Sequence, residues 1–329
     1  METVLSGIRS TGNLHLGNYF GAVSNFVKMQ HEYNCFFFIA DLHSLTTHPK
    51  PENLHENIKK VLSEYLACGI DPERATIYIQ SDVPEISQLY LLLNMNAYVG
   101  ELERTTTFKE KIRKQPENVN AGLLTYPVLM CADIIIHNAN KVPVGKDQEQ
   151  NLEMARKFAK RFNHIYNVDY FTLPEPFNFG SDLVKVPGLD GTGKMGKSEG
   201  NGIYLNDESE VIRKKVMRAV TDSGPKRPNS EKPEAIQNLF YLLKIMSDES
   251  TLAHYEEKYN NCTIRYGDLK KQLAEEIVKF TTPYREKIQA IYHDDEYLRH
   301  VVERGAEKAR ESASKTLREV REIIGYKSF

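Results

Sequence analysis

The chain has no tryptophan and only four cysteines among its 329 residues, and it lacks an apolar run of the ~20 residues needed to cross a bilayer. Without tryptophan, any indole emission from a purified sample has to come from a bound molecule. Cys35, Cys68, Cys131 and Cys262 are widely scattered, with no CxxC pair. That spacing argues against a disulfide framework or a zinc ribbon and for buried free thiols in a reducing compartment. Met1 precedes an acidic residue and a strand-like segment rather than a basic, then apolar, leader. No secretory signal or membrane span is therefore expected, and a cytoplasmic location is. The net charge of -2 supplies no bulk attraction for a polyanion, so a nucleic acid would need a local patch.

What is present is the composition of a soluble globular protein, 40% hydrophobic and 27% charged, long enough for one large or two ordinary domains. Strand patterns at residues 3–8, 35–42, 75–80 and 141–145 alternate with helix patterns at 16–32, 54–68, 84–112, 121–138 and 148–161. This alternation predicts an α/β protein, a Rossmann-like doubly wound parallel sheet with helices on both faces. Beyond residue 200 the strand signals fade. Residues 1–200 are thus read as the sheet-bearing domain, and 201–329 as a helical region packing back on it. Breaks are expected at 224–233, at 260–263 and at Pro283, across which Leu269, Leu273, Ile277 and Ile288 continue one apolar stripe.

Two clusters carry the chemistry. Thr11-Gly12-Asn13-Leu14-His15-Leu16-Gly17-Asn18 follows the first strand and opens a helix. Its glycines admit a close ligand, its helix start offers N–H groups and a positive dipole end to an anion, and His15 and Asn18 share a face. Gly193-Lys194-Met195-Gly196-Lys197-Ser198 lies in a glycine-rich segment that implies a mobile loop. Its two lysines are compact charges suited to phosphate. Together they predict an ATP site.

The first cluster resembles the HIGH signature of class I aminoacyl-tRNA synthetases, with Asn18 in place of the second histidine. The second resembles their KMSKS signature, with Gly196 in place of the first serine. Between them stand Tyr98-Val99-Gly100-Glu101-Leu102-Glu103-Arg104, the Gly122 to Asp133 segment and Val142-Pro143-Val144-Gly145-Lys146-Asp147-Gln148. In this order the phrases are similar to the bacterial-type tryptophanyl-tRNA synthetases over essentially the whole chain. The resemblance implies activation of tryptophan by ATP, with Mg2+ carried on the nucleotide and no metal site in the protein, followed by transfer to tRNA(Trp) by a homodimer.

Residue roles are implied in the same way. His15, Asn18, Lys111, Lys194 and Lys197 would stabilise the charge of the leaving pyrophosphate. Arg9, Ser10, Thr11, Gly17 and Gly21 would join them around ATP, with Asp147, Met195 and Ser198. Leu5, His43, Met130, Val142 and Val144 would line the ring pocket, and Tyr126 and Gln148 would hold the ammonium and carboxylate of the amino acid.

One part of this assignment has a physical reason of its own. Asp133 stands in an apolar helical run, where an ionised carboxylate needs a donor or is costly. The indole ring is an apolar plate with one N–H and no acceptor, so a lone acid in an oily slot suits it. Met130 cannot donate to a phenol oxygen, which disfavours the alternative of a tyrosine-activating enzyme of the same fold. A second alternative, a non-catalytic RNA-binding paralogue, takes Asn18 and Gly196 as signs of decay. For tRNA the sequence offers little. Residues 201–329 nearly balance in charge, and Arg304, Lys308, Lys315 and Arg318 share a helix face in which glutamates are interleaved.

Overall fold

The computed structural model describes residues 1–10, 12–145, 149–177, 184–191, 193–197 and 199–326, apart from the side chain of Lys114. Five strands form its sheet: β1 Thr3–Arg9, β2 Asn34–Ala40, β3 Thr76–Ile79, β4 Lys141–Pro143 and β5 Glu175–Phe177. All neighbours pair in parallel, in the order β3-β2-β1-β4-β5.

Alternation along the strands divides the core in two. Val4, Cys35, Phe37 and Ile39 face one apolar cluster, and Leu5, Phe36, Phe38 and Ala40 the other. Because both faces are covered, β2 reads as an unbroken apolar run rather than as an alternating one. On the first face lie the segment from Leu14 to Met29, the helix Pro51–Ala67 and most of the C-terminal helices. The second face is covered by the helices Pro84–Asn94, Ala121–Ile136 and Glu149–Tyr166. The sheet is thus doubly wound, and β1 is its switch point: the chain runs outward to β2 on one side and to β4 on the other. In such sheets the crevice at the carboxyl ends of the central strands is where ligands bind.

The two cores are continuous with the helical region. The final helix Asp295–Ile323 crosses β3 so closely that a Cβ on Gly305 would lie 1.7 Å from the Ile77 carbonyl oxygen. Any side chain there would push the helix off the sheet. His137 also reaches across, to Tyr78 Oη at 3.1 Å and Ser312 Oγ at 3.0 Å. Among the described residues, no helix is long and apolar enough to cross a membrane.

Several boundaries differ from the expectation. The segment expected as one helix from 84 to 112 is three: Pro84–Asn94, Val99–Leu102 and Thr106–Lys114. Local side-chain bonds end and restart it. Asn94 Nδ2 donates to the Tyr90 carbonyl at 2.8 Å, and Thr105 caps the third helix while its hydroxyl donates back to the Leu102 carbonyl. Pro283, expected as a break, lies inside Tyr266–Tyr292. Burial of Leu269, Leu273, Ile277 and Ile288 offsets a local cost of about 3 kcal/mol. β2 stops at Ala40 rather than at 42, and Asp41–Ser44 turns at once into a helical turn. Cys262, expected to be buried, is exposed; Cys35, Cys68 and Cys131 are buried.

Candidate active site

The strand ends at the switch point open onto two adjoining cavities. The first, about 260 Å³, is lined by Leu5 and Arg9 of β1, Val142 and Val144 at β4, and His43, Tyr126, Met130 and Asp133. The second, about 230 Å³, lies on the other face of β1 and is lined by Asn18, Gly21, Phe26 and Tyr65. Ser6, Gly7 and the Pro143 to Gly145 stretch are common to both walls. All the residues assigned to the tryptophan ring by sequence, Leu5, His43, Met130, Val142 and Val144, fall on the first cavity, as do Tyr126 and Asp133. Gln148, Asp147, Thr11 and Ser198 lie outside the described residues.

Gly7 lies in β1, on the wall common to the two cavities. The space a Cβ would fill is occupied by the Phe38 ring, 2.4 Å away, so this glycine is required by packing within the chain itself.

Asp133 is 1% exposed, yet it is not the solitary acid expected. Gln80 Nε2 donates to its Oδ1 at 2.7 Å, and His43 Nε2 shares a 2.8 Å hydrogen bond with its Oδ2. Burial raises the carboxyl pKa, while His43 and Gln80 oppose the rise. A carboxylate has about four lone-pair sites. Two are engaged here, so the cavity side keeps acceptor capacity for one further N–H.

Beside these cavities the two clusters meet. His15 caps the helix that begins at Leu16: its Nδ1 accepts from the Asn18 N–H, and Asn18 Oδ1 accepts from the His15 N–H, both at 3.2 Å. Burial, reinforced by the charges of Lys197 and Lys194, pushes His15 down to about 4. The ring is therefore neutral near pH 7, and because Nδ1 is an acceptor, its proton sits on Nε2, a fixed donor. Lys197 Nζ reaches across to the Gly12 carbonyl at 2.6 Å. The Leu16 N–H donates to Ile203 O at 2.9 Å, and isolated antiparallel bridges join His15 to Tyr204 and Lys194 to Pro187. The Met195 side chain is 1% exposed and packs near Gly17 and Gly202. Ser10 likewise spends its hydroxyl inside the protein, on Ser44 Oγ at 2.9 Å.

Lys111 packs on Tyr126, a residue of the first cavity's wall. Its Nζ lies 3.6 Å from the centroid of the Tyr126 ring. Burial, followed by the charge of Arg9, pushes it down to about 8. Among the described residues, neither Lys111 Nζ nor Arg9 Nε and Nη2 has a hydrogen-bond partner. Two cations without a carboxylate partner among the described residues, one of them on the cavity wall, favour an anion here. Among the described residues, no cluster of His, Cys, Asp and Glu is placed to hold a metal ion.

Residues 2–282 match the family of class I tRNA synthetases for tryptophan and tyrosine. The chain belongs to this family. It is 68% identical to the tryptophan–tRNA ligase of Porphyromonas gingivalis, over 99% of this chain and 100% of that protein. Identity to the tryptophan–tRNA ligase of Clostridium perfringens is 42%, over 98% and 97% of the two chains. The crystal structure of tryptophanyl-tRNA synthetase from Campylobacter jejuni, complexed with ADP and tryptophan, superposes with a TM-score of 0.89 at 34% identity, covering 98% and 99%.

Two residues of this synthetase site escaped the sequence reading. Gln80 stands at the carboxyl end of β3, the position where parallel sheets place ligand-binding groups, and that signal was available. Glu64 is a carboxylate inside the apolar run Val61 to Cys68, the same signal that singled out Asp133. It is 1% exposed, and its Oε2 accepts the Leu14 N–H at 2.7 Å.

Proposed function

We propose that this chain activates L-tryptophan with ATP and transfers it to tRNA(Trp). The observation that carries this reading is the buried Asp133 carboxylate on an otherwise largely apolar cavity, next to the turn where the two clusters meet. The carboxylate of tryptophan attacks the α-phosphorus of ATP; the bond to the bridging oxygen breaks, and pyrophosphate leaves with its electron pair. The tryptophanyl group then passes from AMP to the terminal ribose of the tRNA. No covalent enzyme intermediate is involved.

Placement of the reactants supplies roughly 7–11 kcal/mol of the barrier. In this reading Asp133 accepts the indole N–H, and Leu5, Met130, Val142 and Val144 hold the ring. Tyr126 and Gln148 hold the ammonium and carboxylate ends. Neutral His15, through Nε2–H, and Asn18 donate to the phosphates, while Lys111, Lys194, Lys197 and Arg9 balance the charge that develops on pyrophosphate. Mg2+ enters on the phosphates of ATP as part of the substrate, with Asp147 near the ribose. The enzyme works in the cytoplasm, in keeping with three buried free thiols.

Residues 1–200 carry the activation chemistry, and the helices of 201–329 receive the tRNA. Of the basic face named above, Arg304 is already paired with Glu73, which leaves Lys308, Lys315 and Arg318 as the candidates for phosphate contact. The protein acts as a homodimer. Leu91, Met95, Tyr98 and Val99, between 56% and 74% exposed, form an apolar patch on the helices packed behind the Ala121–Ile136 helix, and a second copy covers it. Met95→Asp is then expected to yield monomers by sedimentation velocity; an unchanged dimer places the interface elsewhere.

ATP–pyrophosphate exchange with tryptophan, tyrosine and phenylalanine side by side tests the activation step. Exchange with tryptophan alone supports the reading, and equal exchange with tyrosine rejects it. Phenylalanine leaves Asp133 without its N–H, at a cost of roughly 1–3 kcal/mol.

A further inference from the structure

One buried amide outside both clusters ties the second to the first. Residues 14–16 and 203–205 run side by side: the Leu16 N–H donates to the Ile203 carbonyl at 2.9 Å, the Leu205 N–H donates to the Leu14 carbonyl at 3.0 Å, and His15 bridges Tyr204 between them. Asn201 stands two residues before this pairing and is 6% exposed. Its Oδ1 accepts the Gly196 N–H at 3.0 Å. Its Nδ2 donates to Asp190 Oδ2 at 3.1 Å and makes a longer contact, 3.5 Å, with the Lys194 carbonyl. The Asn201 carbonyl in turn accepts the Leu189 N–H at 3.1 Å. The segment that carries the lysines is thus gripped from below, with Met195 buried and Lys194 exposed. Gly196 has no side chain with which to brace its own turn, and an amide five residues further on braces it instead.

Gly188 shows how closely the amide is seated. A Cβ there would lie 2.1 Å from Asn201 Nδ2 and 2.6 Å from its Cγ. Gly188 is not among the glycines of positive φ, so the amide above it, rather than its backbone angle, is what demands a glycine.

We propose that Asn201 is a positioning residue of the nucleotide site: its amide fixes the Lys194–Gly196 segment against the strand that pairs with the His15 turn, so that both clusters meet the phosphates of ATP as one unit. The inference deepens the ATP site proposed above and rests on it. Charges stabilise a leaving group best when they are already in place as it departs. Without the amide, the lysines are ordered only during the reaction, and that ordering is added to the barrier. The amino-acid cavity lies in the sheet core and shares no wall residue with Asn201. Its affinity for tryptophan is therefore left alone.

The test uses the full-length protein with Asn201→Ala, with Gly188→Ala, which leaves Asn201 in the sequence but puts a methyl group where its amide sits, and with both changes together. In nucleotide-free protein, deuterium uptake is read by mass spectrometry on the peptide that contains Met195 and Gly196. Loss of the bond to the Gly196 N–H is expected to speed uptake there about fivefold or more in each single variant, with peptides of the sheet unchanged. In pyrophosphate exchange, Asn201→Ala is expected to lower kcat about ten- to a hundredfold and to leave the KM for tryptophan unchanged. Gly188→Ala is expected to shift the same constants in the same direction. The double variant is expected to lose no more than Asn201→Ala alone, because both changes remove one and the same contact. Unchanged uptake at this peptide in Asn201→Ala overturns the proposal. Faster uptake throughout the chain also overturns it, since the residue then acts through general stability. So do losses that multiply in the double variant, or a KM for tryptophan that rises as far as kcat falls. Deuterium uptake requires no activity, so it decides whether the amide holds the loop even if the wild-type protein fails to exchange pyrophosphate with any amino acid.

Discussion

The two halves of the site are built in different ways. The amino-acid cavity is cut into the packed core: Leu5, His43, Asp133 and Val142 are each less than 5% exposed and come from strands, from the helical turn Asp41–Ser44 and from the helix Ala121–Ile136. The nucleotide side is assembled from a turn and a loop some 180 residues apart in sequence, held by single bonds such as Lys197 to Gly12. Discrimination between amino acids needs a rigid shape and a fixed acceptor, which a core provides. Stabilising a leaving group needs charges that follow it, which lysines on a loop provide.

Breaking the loop half should have the largest effect. Lys197→Ala is expected to slow pyrophosphate exchange about 10²–10³-fold while the KM for tryptophan stays within about threefold. A large rise in that KM would show that the two halves are not separable. Next comes the core half. Asp133→Asn should reduce kcat/KM for tryptophan roughly ten- to a hundredfold, equivalent to about 1.5–3 kcal/mol, with the KM for ATP little changed.

The pH dependence sharpens the division further. Lys111 and Lys197 are both pushed down from the usual lysine value to about 8, chiefly by burial. The protonated amines are the forms that attract phosphate, and they lose charge as pH rises. In the free enzyme, kcat/KM for ATP should accordingly fall above pH 8, by about tenfold per unit for each amine that must be protonated, instead of holding to pH 10. A flat profile to pH 10 contradicts it. The smallest effect is expected from Gln80→Met, which removes one donor from Asp133 and should raise the KM for tryptophan about threefold to tenfold, without changing the ATP kinetics.

The same contrast explains what the sequence made legible. The sheet was readable because both of its faces are buried, so β2 is an uninterrupted apolar run and the helices between strands carry a clear 3.6-residue period. Asp133 was readable because an acid in an apolar helix stands out. What stayed hidden depends on contacts between distant segments. Asp133's two donors come from β3's end and from the helical turn after β2, and no local pattern couples those positions. The Pro283 helix persisted because tertiary burial outweighs a local cost, whereas the 84–112 helix broke because side-chain caps at Asn94 and Thr105 outweighed a continuous helical period.

The central claim is that Asp133 reads the indole N–H. It is tested most directly by comparing tryptophan with benzothienylalanine, which keeps the fused ring and replaces N–H by sulfur, in pyrophosphate exchange by wild type and by Asp133→Asn. The wild-type protein should favour tryptophan about a hundredfold or more in kcat/KM, and the variant should lose most of that preference. Equal turnover of the two amino acids by the wild-type protein, or an undiminished preference in the variant, contradicts the account.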